Sequence, residues 1–188
     1  MTKECFEKLK KNYGKYSSWT LWDKDTGSSM NWANDTNLLE KLKSDFVFVA
    51  LNFSGTKDSA KIMAWENFHS NDSNIKKLRL ALNDTKFQGC YITDIIKDFS
   101  EPKSQEVEKA LKENPKFEKE QIQKFKDEIT PFGKPVLLAL GHNTYKILKR
   151  NNINDEYKVV YVQHYASRNN AETYKNKIKQ QLEADGLW

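Results

Sequence analysis

The feature that most constrains how this chain folds is an alternation of short, almost uninterrupted apolar runs with segments of helical periodicity. Four runs have this character: residues 45–51, 89–96, 135–140 and 157–163. The first and third are nearly continuous in apolar residues, which is typical of strands covered on both faces, whereas the fourth alternates more and is expected nearer a sheet edge. Strands that alternate with helices predict a parallel sheet with helices on both faces.

The segments between these runs carry apolar residues at the spacing of an amphipathic helix. The expected stripes are Phe6, Leu9 and Tyr13; Ile75, Leu78 and Leu82; Ile122, Phe125 and Ile129; Tyr145 and Leu148; and Tyr174, Ile178 and Leu182. Thr2 is placed to cap the first helix, Pro131 to stop the third, and Gly186 to end the last. The 188 residues contain no internal repeat and no Pro-, Gly- or Ser-rich linker. The sequence therefore predicts one domain over residues 1–188, an α/β three-layer α/β/α sandwich with a central, mainly parallel four-stranded sheet.

Composition narrows the class of protein further. Aromatic residues make up 12% of the chain and hydrophobic residues 38%, which argues against disorder although 30% of residues are charged. No apolar run approaches the roughly 20 residues that span a bilayer. The charged start of the sequence is unlike a signal peptide, so a soluble, cytoplasmic monomer is expected. Cys5 and Cys90 are then expected to be reduced thiols, with Cys90 acting as a buried small hydrophobe.

Charge and motif content exclude some chemistry but do not identify a function. The net charge of +5, from 31 basic and 26 acidic residues, fits a lysine-rich surface as well as a polyanionic partner. The three histidines, His69, His142 and His164, are far apart and lack metal-ligand spacing. The motifs G-x-S-x-G, G-x-x-x-x-G-K-[ST] and G-x-G-x-x-G are absent. The sequence therefore predicts neither a metal nor a cofactor.

Polar or Gly-containing segments stand at the carboxyl ends of all four expected strands, where open α/β sheets bind ligands. These segments are residues 52–55, 93–94, 141–144 and 164–168. Each has an ordinary structural explanation: Asn52 as a turn cap, Asp94 as a hydrogen-bond acceptor, Gly141 for close packing, and His164 as a satisfied histidine. Because the four segments are expected at one edge of one sheet, together they predict a site.

These segments carry a resemblance to a known family. Residues 48–55, 89–97, 135–145 and 164–168 resemble motifs of the uracil-DNA glycosylase superfamily, and the chain is most similar to the mismatch-specific branch that acts on uracil or thymine opposite guanine. The order and spacing of the motifs agree over residues 46–168. The resemblance implies a metal-free hydrolysis of the N-glycosidic bond of a damaged or mismatched base, with single-stranded DNA or a mismatched duplex as the partner.

The resemblance also implies roles for individual residues. Asn52 would hold the attacking water and His164 would stabilise the departing base anion. The implied base-binding residues are Phe53, Phe68 (or Trp65 in its place, as the aromatic that stacks on the base) and Asp94. The implied DNA-binding residues are Gly141, Asn143, Tyr145, Ser167 and Arg168, with Arg168 as the wedge that enters the vacated stack.

Three positions depart from the pattern of that family. Phe53 and Tyr165 stand where it usually has proline, and Asp94 stands where many branches carry an asparagine that reads uracil. An ionised carboxylate only accepts hydrogen bonds and so does not match the O4 acceptor of uracil. Two alternatives stay open: an inactive nucleic-acid-binding module with the same fold, which Phe53 and Tyr165 favour, and a hydrolase of free nucleosides or nucleotides, against which Arg168 argues.

The aromatic segment 13–23 lies outside the shared motifs. Aromatic residues mixed with lysine can stack on the bases of single strands. The other interpretation is that Tyr16, Trp19 and Trp22 cover the edge of the sheet, as buried aromatic residues often do.

Overall fold

A computed structural model describes residues 1–23, 27–53 and 62–188 of the chain. Over these residues the central sheet has five strands: β1 (Ser17–Trp19), β2 (Lys43–Asn52), β3 (Cys90–Ile96), β4 (Val136–Leu140) and β5 (Val159–Val162). Their spatial order is β1-β3-β2-β4-β5, with β2 to β5 parallel and β1 antiparallel to β3. The predicted α/β class with a mainly parallel sheet is confirmed, and β5 lies at an edge as expected.

The sheet has one strand more than the four that the sequence predicts. The added strand is β1, in which Ser17 pairs with Thr93 and Trp19 with Tyr91. Three residues, two of them serine, give no apolar alternation, so sequence periodicity does not reveal this strand. Trp19 is fully buried, as the interpretation of an aromatic sheet edge requires, and is therefore not available to stack on a nucleic-acid base.

Seven α-helices surround the sheet in the described part of the chain. They are α1 (Lys3–Tyr13), α2 (Leu38–Lys41), α3 (Ser73–Leu82), α4 (Ser104–Glu113), α5 (Pro115–Ile129), α6 (His142–Arg150) and α7 (Ala171–Ala184). The apolar residues of α1, α4, α5 and α6 join one core and those of α3 and α7 join another, so the sheet lies between two helical layers. No helix among these residues is long and apolar enough to cross a membrane.

The alternation of side chains along β2 builds both cores. Val47 and Val49 belong to the core under α1, α4, α5 and α6, whereas Phe48 and Ala50 belong to the core under α3 and α7. All four side chains are at most 3% exposed. Successive strand residues point to opposite faces, so a strand that is apolar at every position must be covered on both sides.

Predicted helix ends agree with the local geometry. The Thr2 hydroxyl accepts from the backbone N–H of Cys5 at 3.3 Å and caps α1. The α5 helix ends at Ile129, two residues before Pro131. At the end of α7, Gly186 adopts a φ of +70°, and the next N–H returns to the carbonyl of Leu182.

A buried polar network ties α5 to β3. Lys97 Nζ lies 2.7 Å from Glu128 Oε2, and the exposed fractions of the two side chains are 2% and 0%. The hydroxyls of Tyr91 and Thr93 both donate to Glu128 Oε1, at 2.8 and 2.9 Å. Lys97 Nζ also donates to the backbone carbonyl of Asp94, so the network reaches a residue of the candidate site.

Candidate functional site

A cavity of about 1000 Å³ opens at the carboxyl ends of β2, β3, β4 and β5. It is the edge at which the sequence predicts ligand binding. Seven of the ten residues proposed for the site line it: Asn52, Phe53, Phe68, Asp94, Gly141, Asn143 and His164. Ser54 and Gly55, which complete the predicted segment 52–55, lie outside the described residues.

Asn52 ends β2 with its side-chain amide held in one orientation. The amide nitrogen donates to the carbonyl oxygens of Phe99 and Glu101, at 3.2 and 2.7 Å. Because a backbone carbonyl can only accept, these contacts settle which end of the amide carries the nitrogen. Both N–H groups of Asn52 are thus used to hold the loop after β3. Its side chain lines the cavity, and Oδ1 remains as an acceptor only.

His164 follows β5 and is held as a neutral ring. The backbone N–H of Ala166 donates to its Nδ1 at 3.0 Å. Burial, together with the charge of Lys77, lowers the pKa of His164 from 6.5 to about 4. A neutral imidazole that accepts at Nδ1 carries its proton on Nε2. The ring also stacks on Tyr165, with centroids 4.3 Å apart. His164 is therefore a fixed, uncharged hydrogen-bond donor near neutral pH.

The loop that carries His164 is anchored from α3. Lys77 Nζ donates to the backbone carbonyls of Ser167 and Asn169, at 2.7 and 3.3 Å. The N–H of Ser167 in turn donates to the carbonyl of His164 at 3.0 Å. Lys77 thus fixes the loop, and its positive charge adds to the effect of burial, which is the larger cause of the lowered pKa of His164.

Gly141 allows β4 to pass directly into α6 beside His164. Its φ is +91°, and an added Cβ would lie 3.1 Å from the Cβ of His164. Glycine is therefore required at this position, both because φ is positive and because a Cβ would crowd His164. The N–H groups in the first turn of α6 have no intrahelical acceptor, so they form a donor-rich rim where Asn143 lines the cavity.

Asp94 lies inside β3, which continues two residues beyond it to Ile96, and it is 2% exposed. Its Oδ2 accepts from the side-chain amide of Asn67 at 2.8 Å. Burial raises the pKa of Asp94 from 3.8 to about 7, although the bond from Asn67 and the charge of Lys97 oppose the rise. With a pKa of about 7, the carboxyl of Asp94 can donate as well as accept near neutral pH, unlike the ionised carboxylate considered from the sequence.

Of the three aromatic residues predicted to contact the base, two line the cavity and one lies in the core. Phe53 and Phe68 line the cavity, with only 3% and 7% of their surfaces exposed. Phe53 packs edge-on against Tyr16 at 5.6 Å. Trp65 is 1% exposed and packs against Trp19 in the core, outside the cavity lining. The alternative of Trp65 as a stacking residue is therefore wrong, and Phe53 and Phe68 remain as the candidates.

Three predicted DNA-binding residues lie outside the cavity lining. Tyr145 sits on α6 and packs edge-on against Tyr161 at 6.0 Å. Ser167 is half-buried in the loop that Lys77 anchors, and Arg168 beside it is exposed. These positions are on the elements that follow β4 and β5, so a ligand that fills the cavity would have to extend past its rim to reach them.

The cavity also contains polar residues to which the sequence assigns no role. Asn67 and His69 line it from the segment before α3, as does Tyr165 beside His164. His69 Nε2 lies 2.7 Å from the Ser18 hydroxyl, and burial lowers its pKa to about 4. Apart from Phe68, the run 67–72 consists of Asn, His, Ser and Asp residues. Its density of polar residues just before a helix is the signal that points to a ligand-lining loop.

The described residues offer no obvious metal centre. No group of three or more His, Cys, Asp or Glu side chains within them is placed to hold a metal ion. Asp94, His69 and His164 each line the cavity, but their contacts are with protein groups of other kinds.

Comparisons of this chain with family models, curated proteins and solved structures find no match. The glycosylase resemblance therefore stays a prediction, and the function has to be inferred from the side chains of the cavity.

Proposed function

We propose that the chain is a DNA glycosylase-like enzyme that hydrolyses the N-glycosidic bond of a damaged or mismatched base, in the service of DNA repair. The observation that carries the proposal is that Asn52 and His164, at the ends of different strands, line one cavity with complementary hydrogen-bonding character. Asn52 presents an acceptor only, whereas His164 presents a neutral donor.

Asn52 is suited to the attacking water of such a reaction, and His164 is suited to the departing base. A water that donates to Asn52 Oδ1 keeps its own lone pair free to attack C1′ of the sugar. The new C1′–O bond forms as the C1′–N bond breaks, and the base leaves with the bonding electron pair. The proton lost by the water passes to solvent or to the departing base. Asn52 orients this water but is too weakly basic to deprotonate it in the ground state.

His164 is suited to the leaving group. Its Nε2–H can donate to an oxygen or nitrogen of the base on which negative charge develops. A neutral donor that is already oriented stabilises this charge without reorganising, and it does so more strongly in a cavity from which water is excluded. Since the pKa of His164 is about 4, the ring keeps this form throughout the neutral range.

The surroundings of the cavity fit a nucleotide that has been flipped out of the base stack of DNA. Phe53 and Phe68 offer apolar surface at the cavity wall, and the first turn of α6 offers N–H groups for a phosphate. Arg168 is exposed beside the rim, and the net charge of +5 favours a polyanion. We assign this activity to the cytoplasm, because thiols stay reduced in that compartment.

A binding module without turnover is the second candidate, and one observation favours it. The amide of Asn52 already has a structural role, because it holds the loop at Phe99 and Glu101. In this case the cavity would bind a base or nucleotide, and no bond would break.

The decisive experiment measures single-turnover base excision on oligonucleotides that carry different damaged or mismatched bases, single-stranded and paired, followed by alkaline cleavage of abasic sites. Asn52→Ala and His164→Ala should each slow excision by about 10²–10³, the usual cost of losing one such group. DNA affinity should change little in both variants. Arg168→Ala, outside the cavity, is the matched control and should weaken binding while leaving the rate of the bound complex nearly unchanged.

Each outcome separates the candidates. Excision that survives in both alanine variants would show that Asn52 and His164 are not the catalytic pair. Binding of the oligonucleotides with no excision of any base would favour the binding module. Absence of both binding and excision would contradict both candidates.

A further inference from the structure

Three aromatic side chains form a partly exposed cluster beside the cavity, which we call the aromatic cluster. His142 and Tyr145 lie in the first turn of α6, and Tyr161 lies on β5, the edge strand of the sheet. Both rings meet Tyr161 edge-on, with centroids 6.2 and 6.0 Å apart. His142 is exposed and also lines the cavity, whereas Tyr145 and Tyr161 are half-buried. The aromatic cluster therefore continues the cavity wall onto the outer surface of the protein.

The helix that carries this cluster is positively charged. Its sequence, HNTYKILKR, contains three cationic residues and no acidic one. Arg150 is neutralised by ion pairs with two glutamates. Lys146 and Lys149 are exposed, and no carboxylate among the described residues forms an ion pair with either. Lys149 Nζ lies 5.8 Å over the ring of Tyr145, which is the geometry of a cation–π contact. Two unpaired cations thus accompany the aromatic rings.

Aromatic faces beside unpaired lysines are suited to a single strand of nucleic acid. The bases of a single strand can stack on aromatic side chains whatever their sequence, while cationic side chains contact the phosphates. In a duplex the bases already stack on one another and are not available to these rings. The sequence places such a mixture of aromatic residues and lysine in segment 13–23, but Trp19 of that segment is fully buried. The start of α6 and β5 present the mixture at the surface instead.

The aromatic cluster also adjoins the place where the strand is held in the proposed reaction. That reaction places a phosphate at the first turn of α6, the turn that contains His142 and Tyr145. A strand held there has the aromatic cluster beside it. Successive turns of an α-helix are about 5.4 Å apart, so Lys146 and Lys149 lie on the next turn or two. The bases and phosphates next to the target nucleotide can therefore meet the rings and the lysines together.

We propose that the aromatic cluster is a stacking platform for single-stranded DNA. It binds the bases next to the nucleotide that enters the cavity, and Lys146 and Lys149 contact their phosphates. This inference rests on the function proposed above, and it selects single-stranded DNA over a mismatched duplex as the partner of the same site.

The test measures the affinity of the full chain for a fluorescently labelled, single-stranded oligodeoxynucleotide of mixed sequence by fluorescence anisotropy. Tyr145→Leu and Tyr161→Leu keep an apolar side chain at each position but remove the aromatic face. Each should weaken binding about five- to a hundredfold, the range for the loss of one stacking ring. Tyr145→Phe and Tyr161→Phe keep the ring and should bind like the parent.

The same strand annealed to its complement provides the comparison with a duplex. The parent should bind the single strand more tightly, and the leucine variants should lose this preference. Phe46→Leu is the matched control. Phe46 is also half-buried, packs edge-on against Phe87 at 5.0 Å and lies under Lys86, but it is near the amino end of β2, away from the cavity. This variant should bind like the parent.

Several results would overturn the inference. The parent could fail to bind the single strand, or bind the duplex as tightly. Both leucine variants could keep the affinity of the parent. An equal loss in Phe46→Leu, or in the phenylalanine variants, would show that the effect does not come from stacking on the aromatic cluster.

Lys149→Gln tests the phosphate contact at an exposed position that does not disturb the core. Each phosphate contact with a single strand contributes about 0.7 to the slope of log affinity against log salt concentration. The variant should therefore bind less tightly, with a slope smaller by about that amount. Lys86→Gln removes the lysine over Phe46 and should leave the slope unchanged. An unchanged slope in Lys149→Gln would overturn the placement of the strand along α6, and the inference with it.

Failure of the proposed function is distinguishable from failure of this inference, because stacking does not require a base that can be excised. If the single strand binds as expected but no oligonucleotide is cleaved, the stacking platform stands and the glycosylase activity does not. If a base is excised as fast from a duplex, and the leucine variants excise it like the parent, the activity stands and the stacking platform is overturned.

Discussion

Replacing Glu128 by glutamine should destabilise the folded protein by about 3–5 kcal/mol, because it leaves a buried ammonium group without a charged partner. Lys97 Nζ and Glu128 Oε2 are 2.7 Å apart, and the side chains are 2% and 0% exposed. Two unit charges at this distance attract by about 6 kcal/mol at an effective dielectric constant of about 20. The loss is smaller than this attraction because Lys97 keeps its bond to the carbonyl of Asp94.

The local hydrogen bonds explain why an isosteric amide cannot replace the carboxylate. The hydroxyls of Tyr91 and Thr93 donate to Oε1 of Glu128, while the ammonium group of Lys97 forms an ion pair with Oε2. In Glu128→Gln the amide oxygen can still accept from both hydroxyls, but its NH₂ group then faces the lysine ammonium. Two donors then face each other in a space closed to water, and the new NH₂ group lacks the acceptor that it needs there.

The assay is urea unfolding near neutral pH, followed by tryptophan fluorescence and circular dichroism. Lys97→Met combined with Glu128→Gln removes both charges and should recover much of the stability lost in the single variant, since a buried pair is often replaceable by neutral groups. Glu183→Gln is the control, because the pair of Lys179 and Glu183 spans 3.7 Å with both side chains about half exposed. It should cost less than about 1 kcal/mol. A loss below about 1 kcal/mol in Glu128→Gln, or no recovery in the double variant, would refute the reasoning.

Two further predictions concern the site. Gly141→Ala should destabilise the protein by roughly 1–3 kcal/mol, because the φ of Gly141 is positive. The added Cβ would lie 3.1 Å from the Cβ of His164, so the pKa of His164 should also rise from about 4 in an NMR titration. Gly133→Ala is the control: Gly133 has a φ of +74° and open space around it, so the variant should lose stability without a change in the pKa of His164. The pKa of Asp94 is about 7 in the folded protein and 3.8 ordinarily, so between these values the folded state holds a proton that the unfolded chain has lost, and stability falls as pH rises. The free energy of unfolding of Asp94→Asn, measured in urea relative to that of the parent, should therefore rise by about 3 kcal/mol as the pH is raised from roughly 5 to 8. A difference between the two proteins that does not change with pH would contradict this.

The fold was predictable wherever burial on both faces leaves a pattern in the sequence. β2 and β4 are apolar at nearly every position because both helical layers cover them. β1 leaves no such pattern, because Ser17 and Ser18 are fully buried and their hydroxyls are satisfied by distant or backbone partners, among them the carbonyl of Trp65. α4 was also missed, because its ten residues are mostly polar or charged and only Val107 and Leu111 are buried.

The site was predictable in its position but not in its chemistry. The rule that ligands bind at the carboxyl ends of parallel strands brings Asn52, Gly141 and His164 together from the sequence alone. Asn67 could not be found in this way, because its amide bonds Tyr16 and Asp94, which are 51 and 27 residues away. The protonation of Asp94 was likewise hidden, since its pKa depends on burial that only the packed structure determines.

The contacts of Asn52 show why a structural role and a functional one are not alternatives at this site. An asparagine on a strand end would ordinarily rotate its amide, and either end could face a ligand. Here the carbonyls of Phe99 and Glu101 hold the nitrogen end, so the bonds that stabilise the loop also determine that an oxygen is left for the cavity. Asn67 is oriented in the same manner by Tyr16 and Asp94. The oxygen that each asparagine presents to the cavity is therefore set by the acceptors that hold its amide nitrogen, and a substitution that frees either amide should alter ligand selectivity even where the cavity keeps its shape.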